Sequence, residues 1–163
     1  MDEFRIPVVS KEVVIEFSGG VQTAGFVFLP AAAPDHAGAM RLVEWLNGPD
    51  KFFPFQIQGA AASVIVNKDN ILNMTAYHDR DSGDYDEIDD SHKCGVRLET
   101  PHGHYSGNVV IDMPYYRHRV LDALNGDRPF IYLLDGGKEV HVNKKFIVKA
   151  RELGNEQEGA DAV

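Results

Sequence analysis

The sequence has a single cysteine, Cys94, so no disulfide can form within the chain, and a disulfide-stabilised secreted fold is excluded. Basic residues are few, because 16 lysines and arginines stand against 25 aspartates and glutamates, for a net charge of −9. No apolar run approaches the roughly 20 residues that a membrane-spanning helix needs. The first residues also lack the basic region and apolar segment of a signal peptide. We therefore expect a cytoplasmic protein that makes no membrane contact.

Common catalytic motifs are missing too. The sequence contains no phosphate-binding G-x-x-x-x-G-K-[ST] loop, no dinucleotide-binding G-x-G-x-x-G and no G-x-S-x-G nucleophile elbow. Cys94 and Ser106 are the visible nucleophiles, and neither lies in a known catalytic sequence context. We therefore name no catalytic residue and expect no cofactor.

What the sequence does contain is a repeat. Residues 41–48 read RLVEWLNG and residues 119–126 read RVLDALNG, with identity at four of eight positions. An aromatic run and a glycine-containing turn follow each segment, and both copies close with V-x-V-N-K, at 64–68 and 140–144. Such self-similarity indicates a duplicated structural unit. The shared signature residues are Arg41, Asn47, Gly48, Asn67, Arg119, Asn125, Gly126 and Asn143.

Each copy predicts five short strands, with one short helix between the second strand and the third. The predicted strands are Val13–Phe17, Val21–Leu29, Phe52–Ile57, Ser63–Val66 and Ile71–Tyr77, and then Val96–Thr100, Tyr105–Met113, Phe130–Leu134, Glu139–Val142 and Phe146–Arg151. The predicted helices are Met40–Leu46 and Arg117–Leu124, and apolar residues at helical spacing place Trp45, Leu46, Leu121 and Leu124 in the core.

The shared asparagines and arginines have simple structural interpretations. Asn-Gly after each helix is expected to supply the left-handed residue that commonly ends a helix. Asn67 and Asn143 are expected to adopt positive φ in tight turns. Arg41 and Arg119 are expected to brace carbonyl groups at strand ends.

Charge divides the chain into segments. We predict an N-terminal arm at 1–10, a first repeat at 11–77, an acidic linker at 78–93, a second repeat at 94–151 and an acidic disordered tail at 152–163. The linker has seven acidic and two basic residues and the tail has four acidic residues, so together they hold a charge of −9. The second repeat has nine basic and six acidic residues, a balance of +3.

The predicted fold class is mainly β, with two tandem, internally duplicated small antiparallel β-barrels or rolls. In each copy an apolar strand, a glycine turn and a returning strand with an internal glycine (Gly25 or Gly107) cover residues 13–29 or 95–111. This order resembles the opening of Sm-like and SH3-like small barrels. The helix between strands two and three departs from the usual Sm order, in which a helix comes first. The unit also resembles uncharacterised bacterial protein families, which implies no particular activity.

A metal site is an alternative that four residues suggest: His92, Cys94, His102 and His104. The predicted hairpin places the last two at its tip and Cys94 roughly 25 Å away along the strand. Exposed turn histidines are the favoured interpretation, so we predict no metal. The acidic run at 79–90 likewise lacks the spacing of a calcium-binding EF-hand loop.

Nucleic-acid binding is a second alternative. The second repeat carries basic residues near tyrosines, as single-strand binding surfaces do; the set is Arg117, Arg119, Lys144, Lys145, Lys149, Tyr115 and Tyr116. The acidic balance of the whole chain opposes this interpretation. We predict a non-catalytic interaction or regulatory module with a protein partner, and a homo-oligomer is compatible with the sequence. An enzyme that uses the His102/His104 hairpin tip remains a third hypothesis.

Overall fold

A computed structural model of the chain describes residues 7–77, 93–110 and 120–153. The chain divides into two compact units, Met1–Ala76 and Tyr77–Val163. The described residues form ten antiparallel strands and two short α-helices, which confirms the prediction of a mainly β protein. Within this described part, no helix is long and apolar enough to cross a membrane.

The first unit is a row of five strands. They are β1 (Val8–Phe17), β2 (Gln22–Pro30), β3 (Phe52–Ile57), β4 (Ser63–Asn67) and β5 (Ile71–Tyr77), in the spatial order β5-β1-β2-β3-β4. Helix α1 (Leu42–Leu46) lies between β2 and β3 in the chain, as predicted. A 3-10 helix (Lys68–Asn70) joins β4 to β5. β4 and β5 are not neighbours, so the row is open and the predicted closure of a barrel is not seen.

The second unit has the same order of elements. Its strands are β6 (Lys93–Thr100), β7 (Gly103–Val110), β8 (Phe130–Asp135), β9 (Lys138–Asn143) and β10 (Lys149–Leu153), in the spatial order β10-β6-β7-β8-β9. Helix α2 (Val120–Asn125) precedes β8, and a 3-10 helix (Lys144–Phe146) precedes β10. In this unit too, the first strand in the chain lies between the second and the fifth, and the row is open.

Alternation of side chains along the strands separates a core face from an outer face. In β1, Val13 and Ile15 are 1% and 0% exposed, whereas Val14 between them is 37% exposed. Leu42 and Leu46 of α1 add one stripe of the helix to this core. The core of the second unit is the cluster Val96, Leu98, Val109, Val120, Ile131, Leu133, Val140 and Val142.

At Gly25 and Gly107 the backbone of the next strand approaches closely. A Cβ on Gly25 would lie 2.3 Å from the carbonyl oxygen of Gln56 in β3. A Cβ on Gly107 would lie 2.7 Å from the carbonyl oxygen of Leu134 in β8. Only glycine allows this approach of backbone to backbone, which explains the internal glycine in both returning strands.

The predicted backbone role of the asparagines was wrong. Asn67 and Asn143 have φ of −90° and −70°, and no non-glycine residue in the described part has a positive φ. The side chain of each asparagine instead accepts a hydrogen bond from the backbone N–H two residues later, at 3.0 and 3.1 Å. Each asparagine therefore caps the 3-10 helix that follows it.

Helix α1 begins two residues later than predicted, and its C-terminal end also differs from the prediction. Arg41 precedes the helix, and its backbone N–H donates to Glu44 Oε1 at 3.3 Å, as in a capping box. Asn47 ends the helix at φ −89° rather than in the left-handed region, and its Nδ2 donates to the carbonyl of Val43 at 2.8 Å. Gly48 N–H donates to the carbonyl of Trp45 at 3.2 Å.

Several predicted boundaries shift as well. β1 begins at Val8, inside the predicted arm, and β10 includes Glu152 and Leu153 of the predicted tail. Glu152 Oε1 accepts a hydrogen bond from Val120 N–H at 3.2 Å, at the start of α2, where a carboxylate is favoured. Residues 78–92 of the predicted linker and 154–163 of the predicted tail lie outside the described residues.

In the two helices, burial follows the prediction only in part. Leu46 is buried, but Leu121 is 60% exposed and Val120 is the buried residue of α2. Trp45 and Leu124 are half-buried. The α2 stripe is therefore shifted by one residue from the predicted one.

Candidate interaction surface

The lysines proposed for nucleic-acid binding have other contacts. Lys144 is half-buried, and its Nζ donates to the carbonyl of Gly126, just after α2, at 3.2 Å. Burial lowers the pKa of Lys144, although Asp127 opposes the shift. Lys149 forms an ion pair with Glu99 at 3.2 Å, and Lys145 lies 5.6 Å from the centre of the Phe146 ring. Arg117, Arg119, Tyr115 and Tyr116 lie outside the described residues.

Lys68 occupies the same place in the first unit. It is 6% exposed, and its Nζ donates to the carbonyl of Trp45 at the end of α1, at 2.9 Å. Burial lowers the pKa of Lys68, and the charge of Asp50 opposes the shift. Carbonyl groups at the C-terminus of a helix lack partners within the helix. The repeated Asn-Lys pair is thus a structural device that caps a 3-10 helix and supplies a donor to an α-helix end.

The histidine hairpin tip does not assemble a metal site in the described residues. His104 pairs with Glu99 near the turn, and Cys94 pairs with Val109 at the other end of the hairpin. No group of three or more histidine, cysteine or acidic residues suited to a metal ion occurs in 7–77, 93–110 and 120–153. Burial, together with the charge of Glu152, raises the pKa of the Cys94 thiol, which disfavours the nucleophilic thiolate. His92 lies outside these ranges.

Buried polar side chains that the sequence analysis overlooked lie in both units. In β9, His141 is 0% exposed; its Nε2 is 3.1 Å from Glu139 Oε1, and its ring stacks on Tyr132 with centres 4.6 Å apart. In the first unit, Asn73 Nδ2 donates to the buried Glu16 at 3.0 Å. Buried polar groups require such partners. Neither cluster is open to a substrate, because both are covered.

The open edge of β4 is the most distinctive exposed feature of the first unit. β4 ends the row and, among the described residues, pairs only with β3. Its Val64 and Ile65 are 41% and 77% exposed, and Phe52 of β3 is 60% exposed. Pro54, the register partner of Ile65, is also exposed. We call the outer backbone edge of β4 together with these four side chains the β4 edge surface.

The hydrogen-bond phase of the β3–β4 ladder determines which backbone groups face the open side. Lys68 N–H donates to the carbonyl of Lys51 at 2.8 Å, so this pair is hydrogen-bonded. Hydrogen-bonded and non-hydrogen-bonded pairs alternate in an antiparallel ladder. Val66 and Val64 therefore bond to β3, whereas Ile65 directs its N–H and carbonyl outward.

One further observation agrees with this phase. Pro54 has no N–H to give, and it stands opposite Ile65 in a pair that needs no hydrogen bond. By the same alternation Ser63 also directs its backbone groups outward. The β4 edge thus offers free donors and acceptors to another strand.

The β4 edge surface is also uncharged. Residues 52–67 read FFPFQIQGAAASVIVN and contain no acidic or basic side chain. Exposed edge strands commonly carry lysine, proline or a bulge that prevents pairing with another chain, and β4 has none of these. The uncharged Val-Ile-Val segment is visible in the sequence, but the sequence alone does not show that this strand lies at the edge of a sheet.

Comparison with protein-family models, with curated proteins and with solved structures gives no match to this chain. The function is therefore inferred from the geometry described above.

Proposed function

We propose that the protein is a non-catalytic interaction module that binds protein partners by strand addition at β4. This proposal rests on Ile65, the central residue of an uncharged edge strand. Its side chain is 77% exposed, and its backbone N–H and carbonyl face away from β3. In strand addition, backbone hydrogen bonds give affinity and alternate side chains give specificity. Exposed Val64 and Phe52 supply apolar contacts on the two faces of the added strand.

We also propose that the two units are duplicated copies of one small five-stranded antiparallel fold, related to Sm-like and SH3-like domains in its strand order but open rather than closed into a barrel. Four matched features support this: the strand order, the close approach at Gly25 and Gly107, the asparagine caps, and the lysines that reach the helix ends. A cytoplasmic location is part of the proposal, because the single cysteine suits a reducing compartment.

Selection of peptides tests the strand-addition proposal. Random heptapeptides displayed on phage are selected on the wild-type chain and on Ile65→Pro, a variant that removes the outward N–H without removing a bond to β3. We expect the wild type to enrich uncharged, β-branched peptides and Ile65→Pro to lose them. Absence of enrichment, or the same peptides on both proteins, would contradict strand addition at β4.

Val21→Lys is the control for substitution of an exposed apolar residue away from β4. Val21 is 63% exposed and lies between β1 and β2, away from the β3–β4 hairpin in sequence. Its enriched peptides should match those of the wild type. Thermal melts of all three proteins show whether each variant is folded.

A further inference from the structure

We infer that the strand added at β4 is β4 of a second copy of this chain, antiparallel to the first about a two-fold axis at Ile65. This inference rests on the proposed function and names its partner. Most homo-oligomers are symmetric, and a two-fold interface requires a surface that complements itself. The β4 edge surface meets that requirement in its backbone, its side chains and its charge.

The backbone of β4 complements itself about Ile65. With Ile65 opposite Ile65 of the other copy, each residue donates its outward N–H to the carbonyl of the other. Two residues away, the N–H of Asn67 reaches the carbonyl of Ser63 in the other copy. The register thus allows up to about six new hydrogen bonds, two at Ile65 and two at each of the two Asn67–Ser63 pairs, and breaks none within β3–β4.

The side chains of β4 also read the same in both directions around Ile65. Val64 of one copy stands opposite Val66 of the other, so β-branched side chains meet β-branched side chains across the new ladder. Cross-strand pairs of this type stabilise antiparallel sheets. The exposed Phe52 and Pro54 flank Ile65 on the outer face and extend the apolar contact.

Charge favours this surface over others for a meeting of two copies. Each copy has a net charge of −9, so two copies repel each other over most approaches. In the antiparallel register the nearest charged residues, Lys68 and Asp69, face the uncharged Ala62 and Ala61 of the other copy. No like charges are opposed within the new ladder.

The size of the contact sets the expected strength. One short strand and two flanking side chains bury less than the area typical of stable dimers. We therefore expect a dissociation constant on the order of 10 to 100 μM. Sedimentation velocity from about 5 to 500 μM covers the transition from monomer to dimer.

A charge-exchange experiment tests the register. Ile65→Lys and Ile65→Glu each place like charges opposite each other across the two-fold axis, so each variant alone is expected to remain monomeric over the wild-type transition range. An equimolar mixture of the two places lysine opposite glutamate and is expected to dimerise. Val21→Lys, with the same added charge at an exposed position elsewhere, is expected to dimerise like the wild type. A wild type that stays monomeric, or an Ile65→Lys variant that dimerises as well as wild type, would overturn the inference.

Amide hydrogen exchange provides a readout inside the wild-type chain. Ile65 N–H points away from β3, so its exchange is expected to slow roughly four- to tenfold as the dimer forms at about 500 μM protein. Val64 N–H is bonded to β3 in the single copy and serves as the internal control. Exchange at Ile65 that does not depend on protein concentration would contradict pairing through this strand.

The outcomes for the dimer and for the proposed function can be told apart. A wild type that is monomeric at all concentrations but still selects uncharged peptides through Ile65 refutes self-pairing and leaves strand addition standing. A wild type that neither dimerises nor selects peptides refutes both.

Discussion

At the scale of single residues, two lysines support backbone groups of the chain itself. Lys68 and Lys144 turn inward to helix-end carbonyls, and burial lowers the pKa of both. His36 makes a polar cluster with Glu44 near the start of α1, where its Nε2 lies 2.5 Å from Glu44 Oε1. These contacts predict which residues stabilise the fold and at which pH.

Removal of the Lys68 ammonium group should destabilise the first unit. Lys68→Met retains most of the side-chain volume but leaves the Trp45 carbonyl without this donor, so we expect a loss of about 1–3 kcal/mol in unfolding free energy. Lys145→Met, at an exposed position, should change it by no more than about 0.5 kcal/mol. Urea denaturation measures both, and coincident curves would show that the Lys68–Trp45 bond contributes little.

His36 should stabilise the protein in mildly acidic solution. Its pKa is raised from 6.5, first by the hydrogen bond to the Ala37 carbonyl and then by the hydrogen bond to Glu44. A raised pKa in the folded state means that the stabilisation is fully present below about pH 6.5 and is lost as the pH rises through the folded value. His36→Ala should therefore cost more stability at about pH 5.5 than at about pH 8.5.

Denaturant melts of wild type and His36→Ala at the two pH values check this expectation. His104→Ala, at an exposed position in β7, controls for the loss of an imidazole. An equal cost for His36→Ala at both pH values, or a larger cost at alkaline pH, would show that the charged imidazole does not stabilise the fold.

At the scale of elements, the two V-x-V strands that close the repeat have opposite environments. Ile65 in the middle of β4 is 77% exposed, whereas His141 in the middle of β9 is 0% exposed. Every residue of β9 from Glu139 to Asn143 is buried, so both faces of that strand are covered. Hydropathy would assign the isoleucine to the interior and the histidine to the surface. Neighbouring elements reverse that assignment.

The close approach at Gly25 should make β2 intolerant of any side chain there. In Gly25→Ala the added Cβ would meet the Gln56 carbonyl oxygen at 2.3 Å and Phe55 Cζ at 2.5 Å. We expect a loss of about 1–3 kcal/mol or more. Gly19→Ala in the β1–β2 turn, where a Cβ meets nothing within 4 Å, is the matched control. Similar melting temperatures for the two variants would mean that β2 and β3 can separate at low cost.

The helix α2 should show a difference between adjacent residues. Val120 is 2% exposed and Leu121 is 60% exposed. We expect Val120→Ala to lower the unfolding free energy by about 1–3 kcal/mol and Leu121→Ala by at most about 0.5 kcal/mol. Thermal unfolding of the two variants measures both losses. A larger loss for Leu121→Ala would show that the face of α2 with Leu121, and not the face with Val120, packs in the core.

At the scale of the whole molecule, charge and edge geometry act together. The net charge of −9 opposes the approach of two copies, and the uncharged 52–67 hairpin is where we propose that they pair. The ends of a strand row carry unpaired backbone groups, which makes them the natural sites of intermolecular pairing.

Salt should therefore strengthen the proposed dimer. Two acidic copies repel, and added salt screens that repulsion without weakening an uncharged contact. We expect the dissociation constant to fall roughly two- to tenfold between about 20 and 300 mM NaCl. Sedimentation velocity at the two salt concentrations measures the dissociation constant. Val21→Lys, which is substituted away from β4, should show the same direction of change. A dimer that weakens as salt is added would have to be held by charge pairs rather than by β4.

Much of the local structure could be predicted from sequence periodicity. β3 and β5 begin and end at the predicted residues, and both short helices fall between the second and third strands of their units. The spacing of apolar residues reports local backbone geometry directly, because side chains alternate along a strand and recur every three or four residues on a helix. The buried face of α2 was misaligned, because one helical turn there offers two adjacent apolar residues, and the ends of β1, β7 and β10 also differ from the prediction.

The sequence by itself determined that the protein is mainly β, where its glycines and helices lie, and that its charge is unevenly distributed. Only the tertiary structure decided that the strand rows are open, that Asn67 and Asn143 cap 3-10 helices, and that Ile65 lies on a free edge while His141 is buried. Strand neighbours and hydrogen-bond phase depend on residues far apart in the chain, such as Lys51 and Lys68 or Glu16 and Asn73. Local sequence patterns do not specify those long-range pairings, so the β4 edge surface, which depends on them, could not be predicted from the sequence.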